Sequence, residues 1–275
     1  MAPLIQAHGA AIPAIGLGTW QLRGDDCAEA VRTALDVGYR HVDTAAMYGN
    51  EEAVGAGLRA SGIPREDVFV TTKVWYEDLA PADLRRSAEA SLKRLGLPAV
   101  DLLLIHWPNA AIPLKESVRA LCAARRAGLA RHVGVANFTV RLLDEAVALA
   151  DEPIVANQCE YHPYLDQGAV LSACRRHGVA FVSYCPLGKA QALAEPAVRA
   201  VAASHGRTPA QVVLRWHLQQ GVAAIPKSGN PARIAENFSM AGFTLTDDEM
   251  ARLSGLARRG GRMVAPSWSP QWDEA

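Results

Sequence analysis

Net charge is the first thing this sequence lacks. Its 28 Lys and Arg residues balance its 28 Asp and Glu residues. Without a basic field there is no long-range hold on nucleic acid or on an anionic membrane, and neither is expected as a partner. Long apolar runs are missing too. None approaches the roughly 20 residues that cross a bilayer. The opening "MAPLIQAHGA" has no charged segment leading into an apolar one. Cysteine is scarce: Cys27, Cys122, Cys159, Cys174 and Cys185 are scattered, odd in number and never spaced C-x-x-C. That excludes a disulfide framework and a cysteine zinc site, and it fits free thiols in a reducing cytoplasm. No metal is expected. Neither G-x-S-x-G nor H-E-x-x-H occurs, so no side chain stands out as a nucleophile. Low-complexity segments, linkers and sequence repeats are also absent.

What is present is a chain of 275 residues, 50% of them hydrophobic. That is enough for one large core, and 1–275 reads as a single domain, a monomer in the cytoplasm. Short β-like runs alternate with longer helical ones. The runs are "AAIPAIGLG", "RHVD", "VFVTTK", "VDLLLIH", "HVGVAN", "IVANQ", "AFVSY" and "VAAIPK". Between them lie amphipathic stretches such as "DDCAEAVRTALDVG" and "APADLRRSAEASLKRLG", often closed by Gly. Strict alternation predicts an α/β protein with a parallel sheet and right-handed crossovers. Eight such units at this length predict a closed (β/α)8 TIM barrel. "LIQAHG" ahead of the first strand predicts an N-terminal β-hairpin. The Gly- and Pro-rich "RRGGRMVAPSWSPQWDEA" predicts an extended C-terminal tail over the barrel mouth.

A barrel of this kind builds its site at the C-terminal ends of its strands. Those ends read Gly18-Thr19-Trp20, Asp43, Lys73, His106, Ala136-Asn137, Gln158, Tyr184 and Lys227-Ser228. Taken singly, His106 reads as a core histidine, Lys73 as a surface lysine and Asp43 as a turn cap. Together they imply a shared polar cavity. Asp43 needs a partner, because a buried carboxylate costs several kcal/mol unless it is paired. Lys73 on the next strand is the expected one. Tyr48, in the turn beyond Asp43, can lean back over the mouth. A nearby ammonium is expected to lower its phenol pKa from about 10 and make it a proton donor. With His106, the constellation suits protonation of a carbonyl oxygen as it becomes an alkoxide. The reducing agent must then be a cofactor. "GAGLRA" (Gly55–Ala60) fits G-x-G-x-x-A but sits inside a helical stretch, so it is no Rossmann turn. Asn137 and Gln158 can grip a carboxamide, Tyr184 can stack, and Lys227, Ser228 and Arg233 beside a helix start form an anion site. Two other readings stay open: a non-catalytic protein on the same barrel, and a Schiff-base enzyme with Lys73 as nucleophile.

The motifs "GLGTW", "DTAAMYGNE", "VTTKVW", "LLLIHWP", "HVGVANF", "ANQCEYHPY", "SYCPLG" and "IPKSGNPARIAENF" occur in that order along nearly the whole chain. In this the sequence resembles the aldo-keto reductase family, and most closely its short bacterial 2,5-diketo-D-gluconate and methylglyoxal reductase group. The resemblance implies NADPH-dependent reduction of aldehydes and ketones by a catalytic tetrad of Asp43, Tyr48, Lys73 and His106. It implies NADPH contacts at Gly18, Thr19, Asp43, Asn137, Gln158, Tyr184 and Leu187, a 2′-phosphate site at Lys227, Ser228 and Arg233, and adenine neighbours in Glu236 and Asn237. Ala136 and Cys185 depart from the family's "GVSNF" and "SPLG". The expected substrate wall is Trp20, Met47, Tyr48, Trp75, His106, Trp107, Trp268 and Trp272. Trp216 reads as core.

Overall fold

A computed structural model describes residues 3–273. The last two residues of the expected tail, Glu274 and Ala275, lie outside the described residues. The expected hairpin is β1 (Leu4–Ala7) paired antiparallel with β2 (Ala10–Pro13). Eight strands then form one sheet in chain order: β3 (Leu17–Gly18), β4 (His41–Asp43), β5 (Phe69–Val74), β6 (Val100–Ile105), β7 (Ala130–Ala136), β8 (Ile154–Glu160), β9 (Ala180–Tyr184) and β10 (Ala223–Ala224). Every pair is parallel. The first and last strands meet: Gly16 N donates to the Ala224 carbonyl at 2.9 Å and Gly18 N to that of Pro226 at 3.1 Å. The sheet thus closes as the expected (β/α)8 barrel. Gly18 is needed at this seam, because a Cβ there would sit 2.7 Å from the Ile225 carbonyl oxygen.

Around the sheet run α1 (Gly24–Val37), α2 (Glu51–Ala60), α3 (Pro81–Leu95), α4 (Leu114–Arg126), α5 (Val140–Leu149), α6 (Gly168–His177), α7 (Pro196–Ser204), α8 (Pro209–Gln219), α9 (Pro231–Phe238) and α10 (Asp247–Ser254). α8 starts with a reciprocal capping box of Thr208 and Gln211. α10 has no counterpart among the sequence expectations, although its own box, Thr246 with Glu249, is written as T-x-x-E. The glycines of "GAGLRA" lie in α2. A Cβ on Gly55 would overlap the Leu95 carbonyl, and one on Gly57 the Ala28 carbonyl. They let α2 approach α3 and α1, which accounts for their spacing. Trp216 is buried in α8, with its indole N–H on Ser254 Oγ at 3.0 Å. Among the described residues, no helix is long and apolar enough to cross a membrane. None of their His, Cys, Asp and Glu groups could hold a metal ion.

Two apolar clusters divide the middles of β6, β7 and β9 by parity. Leu103, Ile105, Val133 and Val135 pack with the helices. Leu102, Leu104, Ala156 and Val182 pack within the barrel, together with Ile12 of the hairpin. Alternate residues of a strand face opposite sides, so the inward series can be followed upward. After Leu104 it reaches His106. After Ala156 it reaches Gln158 and Glu160, and after Val182 it reaches Tyr184. A hydrophobic interior therefore gives way to polar groups at one end.

Candidate active site

Asp43 ends β4 and Lys73 lies near the end of β5. Lys73 Nζ donates to Asp43 Oδ1 at 2.5 Å and to the Thr44 carbonyl at 2.8 Å. Both side chains are closed to solvent. The other carboxylate oxygen, Oδ2, accepts from Gln158 Nε2 at 2.8 Å. Both oxygens of the buried acid are thus satisfied, as its burial requires. Beyond β4 the chain makes one 3-10 turn, Ala46–Tyr48, and Gly49 ends it at φ 63°. That turn brings Tyr48 Oη to 3.4 Å from Lys73 Nζ. The His106 ring lies across from Tyr48 at 5.7 Å and against Trp75 at 5.2 Å, both edge to face. Asn50, which has no role in the sequence reading, fastens this turn. Its Nδ2 donates to the carbonyls of Thr19 and Leu22, and its Oδ1 accepts from Thr44 Oγ1 at 2.8 Å.

The protonation states follow from these contacts. Burial works against the Lys73 ammonium, but the Asp43 charge and the Tyr48 hydroxyl outweigh it and leave its pKa raised. A lysine held charged is a poor nucleophile, which argues against the Schiff-base reading. Tyr48 requires a correction. Burial raises its pKa, Lys73 lowers it, and burial wins, so the phenol is held above its ordinary value. From the sequence only the ammonium is visible, not the burial. Burial, with Lys73 adding to it, pushes His106 well below the usual histidine range. The ring is neutral near pH 7, and its Nδ1 is buried without a partner.

The expected cofactor residues fall around the same mouth. Asn137, at φ 63°, donates from Nδ2 to the His106 carbonyl at 2.9 Å and accepts from Tyr184 Oη at 2.8 Å. Its amide keeps one further donor and one further acceptor. Thr19 is fully buried, with its Oγ1 on the Asp43 carbonyl at 2.9 Å. Tyr184 and Leu187 are half-buried. Ala136 is buried, and Cys185 follows Tyr184 at φ 50°. At the far side of the seam, Lys227 and Arg233 are exposed and in no ion pair among the described residues. Between them, Asn230 caps α9 and Ser228 Oγ accepts from Asn230 N at 3.0 Å. Glu236 is half-buried and Asn237 buried on the same helix. Two free cations at a helix N-terminus fit a phosphate, and a half-buried phenol ring beside an amide with open hydrogen-bonding capacity fits a nicotinamide.

The aromatic wall is built from separate elements. Trp20 lies 4.8 Å from the Tyr48 ring. Trp20 and Met47 are among the few exposed large apolar residues. Trp268 of the tail stacks on Tyr76 at 5.3 Å and meets Trp75 edge-on at 6.1 Å. Trp272 meets Trp107 at 6.0 Å. Trp107 itself is 5% exposed and offers the mouth little surface. The tail is therefore extended and docked. A cavity of about 650 Å³ lies beside this wall, bounded by Pro108, Phe138, Trp268 and Trp272, and no tetrad residue lines it. Tyr48 and His106 therefore lie outside that cavity. Asn109 is a strut, donating to the Tyr76 carbonyl at 2.9 Å.

Comparison with known proteins agrees with this architecture. The model of the aldo/keto reductase family matches residues 14–258. Methylglyoxal reductase DkgB of Escherichia coli O157:H7 is 39% identical over 267 residues, covering 96% of this chain and 100% of that protein. An aldo-keto reductase of Mycobacterium sp. (strain MCS) is 45% identical over 249 residues, 90% of this chain and 88% of that one. Among solved structures, a candidate 2,5-diketo-D-gluconic acid reductase B superposes with a TM-score of 0.98 at 44% identity, covering 100% of this chain and 98% of that one. A Bombyx mori aldo-keto reductase in complex with NADP superposes at 0.91 with 33% identity, covering 97% and 96%. This chain belongs to the aldo/keto reductase family.

Proposed function

We propose that the chain is an NADPH-dependent reductase of small aldehydes and ketones, acting as a monomer of one domain, with Asp43, Tyr48, Lys73 and His106 as its catalytic tetrad. The observation that carries the reading is the Tyr48 hydroxyl, 3.4 Å from a buried ammonium, on a ring that meets His106 edge to face at 5.7 Å. A bound NADPH would supply the hydride. Asn137 and Gln158 would hold its carboxamide and Tyr184 its ring. Lys227, Ser228 and Arg233 would take the 2′-phosphate.

Tyr48 Oη and His106 Nε2 would bind the carbonyl oxygen between them. A neutral His106 has one proton to share and orients the substrate. It is not an imidazolium acid, so the proton comes from Tyr48. As negative charge grows on the substrate oxygen, Tyr48 releases its proton to it. The phenolate left behind sits beside Lys73, whose charge is fixed by Asp43. Trp20, Met47, Trp75 and Trp268 would exclude water and hold the rest of the substrate. The relatives' names point to methylglyoxal and 2,5-diketo-D-gluconate as the first carbonyls to try. Tyr48→Phe removes one oxygen from the site. We expect NADPH oxidation over a panel of carbonyls to fall by about a hundredfold or more, with NADPH still bound in a fluorescence titration. A variant that turns over at the wild-type rate would remove Tyr48 from the mechanism.

A further inference from the structure

We propose that Glu160 is a positioning residue that latches the C-terminal tail and thereby sets substrate affinity. The inference rests on the reading of the tail as part of the substrate wall. Glu160 is the last residue of β8 and is fully buried, at an inward position two residues beyond Gln158. Among the described residues it makes no hydrogen bond or ion pair with Asp43, Tyr48, Lys73 or His106. Its carboxylate faces the tail instead. Oε1 accepts from Met263 N at 2.6 Å and Oε2 from Val264 N at 3.0 Å. His162 Nε2 donates to Oε1 at 2.9 Å, and Arg262 lies 3.9 Å from Oε2. A carboxylate has only acceptors, and two of its places here go to consecutive backbone N–H groups of one tail segment.

The latch leads directly to the wall. The Arg262 guanidinium lies 3.6 Å from the centre of the Trp272 ring, and Trp272 packs on Trp107 next to His106. The same segment is held from the other side by Lys189 Nζ, which donates to the Met263 carbonyl at 3.0 Å. Just upstream, Gly261 passes so close to the loop after β8 that a Cβ would overlap the Tyr164 carbonyl. Beyond the latch, the tail reaches Trp75 and Tyr76 through Trp268, and Asp273 Oδ2 accepts from Val140 N at 2.9 Å. The aromatic residues thus lie between two fastenings, and Glu160 is the buried one.

Glu160→Gln keeps the shape and replaces one acceptor oxygen by a donor. One backbone N–H of the pair then faces an N–H, and Arg262 loses its counter-charge. We expect the KM for an aromatic carbonyl such as phenylglyoxal to rise about tenfold while kcat stays within about threefold, the signature of lost binding rather than lost chemistry. Hydrogen exchange read by mass spectrometry should show the amides of Met263 and Val264 exchanging at least about tenfold faster. Trp268→Ala separates the two layers of the reading. It should raise the same KM and leave exchange at Met263 and Val264 as it was. If Trp268→Ala leaves KM unchanged, the tail is not a substrate wall. If it raises KM but Glu160→Gln changes neither KM nor exchange, the latch is overturned. Should Glu160→Gln fail to fold, Glu160→Asp decides. It keeps the charge but draws the carboxylate back by one methylene from both backbone donors, and we expect about a threefold rise in KM with faster exchange at Met263 and Val264; a variant that changes neither overturns the latch.

Discussion

Replacing Lys73 by Met tests whether the buried pair beneath Tyr48 serves stability or chemistry. The ammonium makes three contacts, at 2.5 Å to Asp43, 2.8 Å to the Thr44 carbonyl and 3.4 Å to Tyr48. Met fills similar space and makes none of them. Asp43 would keep Gln158 as its one side-chain donor, at 2.8 Å. Leaving one partner of a buried pair uncompensated costs about 3–5 kcal/mol. In a chain of this size each kcal/mol moves the melting temperature by about 2–4 °C, so a fall of roughly 10 °C is expected. Turnover should fall by about a hundredfold or more, because the phenol loses the charge that stabilises its phenolate. The discriminating variant is the double change Lys73→Met with Asp43→Asn. It removes both charges, and the new amide oxygen can still accept from Gln158. Removing both partners is far cheaper than removing one, so most of the lost stability should return while turnover stays low. Circular-dichroism melts and NADPH oxidation read the two properties separately. A double variant that melts no higher than the single one would refute the buried-charge account. A double variant that regains turnover would show that the pair is not part of the chemistry.

Tyr48 supplies a direct test of the corrected protonation state. Its folded pKa lies above the unfolded value of about 10, so its contribution to stability is complete below pH about 10 and is lost as pH rises through the folded pKa. In an ultraviolet difference titration of wild type against Tyr48→Phe, the extra tyrosine should ionise only above pH about 10; ionisation near pH 8 contradicts the burial argument. Arg233→Ala should raise the KM for NADPH by about tenfold and barely change that for NADH, since the role proposed for Arg233 is one charge-assisted contact to the 2′-phosphate. An equal effect on both cofactors would take Arg233 out of phosphate recognition.

Parity explains most of what the sequence disclosed. Polar residues at the ends of apolar runs stand out, and a parallel barrel places all those ends at one face. Asp43, Lys73, His106, Gln158 and Tyr184 could be found that way. Glu160 could not, because "IVANQ" reads as ending at Gln158, whereas β8 runs two residues further. The alternation of side chains along a strand was the available signal, with Glu160 on the same face as Gln158. Asn50 was hidden for a different reason. An Asn after Gly in a turn needs no explanation, and only the fold shows its amide tying the Trp20 loop to the turn that carries Tyr48. The tail was legible as an extended segment rich in Gly and Pro. Its fastenings were not, since each pairs a carboxylate with backbone N–H groups, Glu160 with Met263 and Val264 and Asp273 with Val140, and backbone donors leave no mark in a sequence.

The Tyr48 correction has the same origin, because burial is a tertiary quantity. From the sequence, the nearby lysine was visible and the desolvation was not. The two act on different moments of the proposed reaction. Burial keeps the phenol protonated while the site waits, so Tyr48 has its proton available across neutral pH. The Lys73 ammonium matters when that proton leaves, since an anion 3.4 Å from a buried cation is stabilised far more than it would be in water. A simple depression of the resting pKa would have exchanged one property for the other. Holding both requires a cation that stays charged while buried, and that is the part Asp43 plays from beneath.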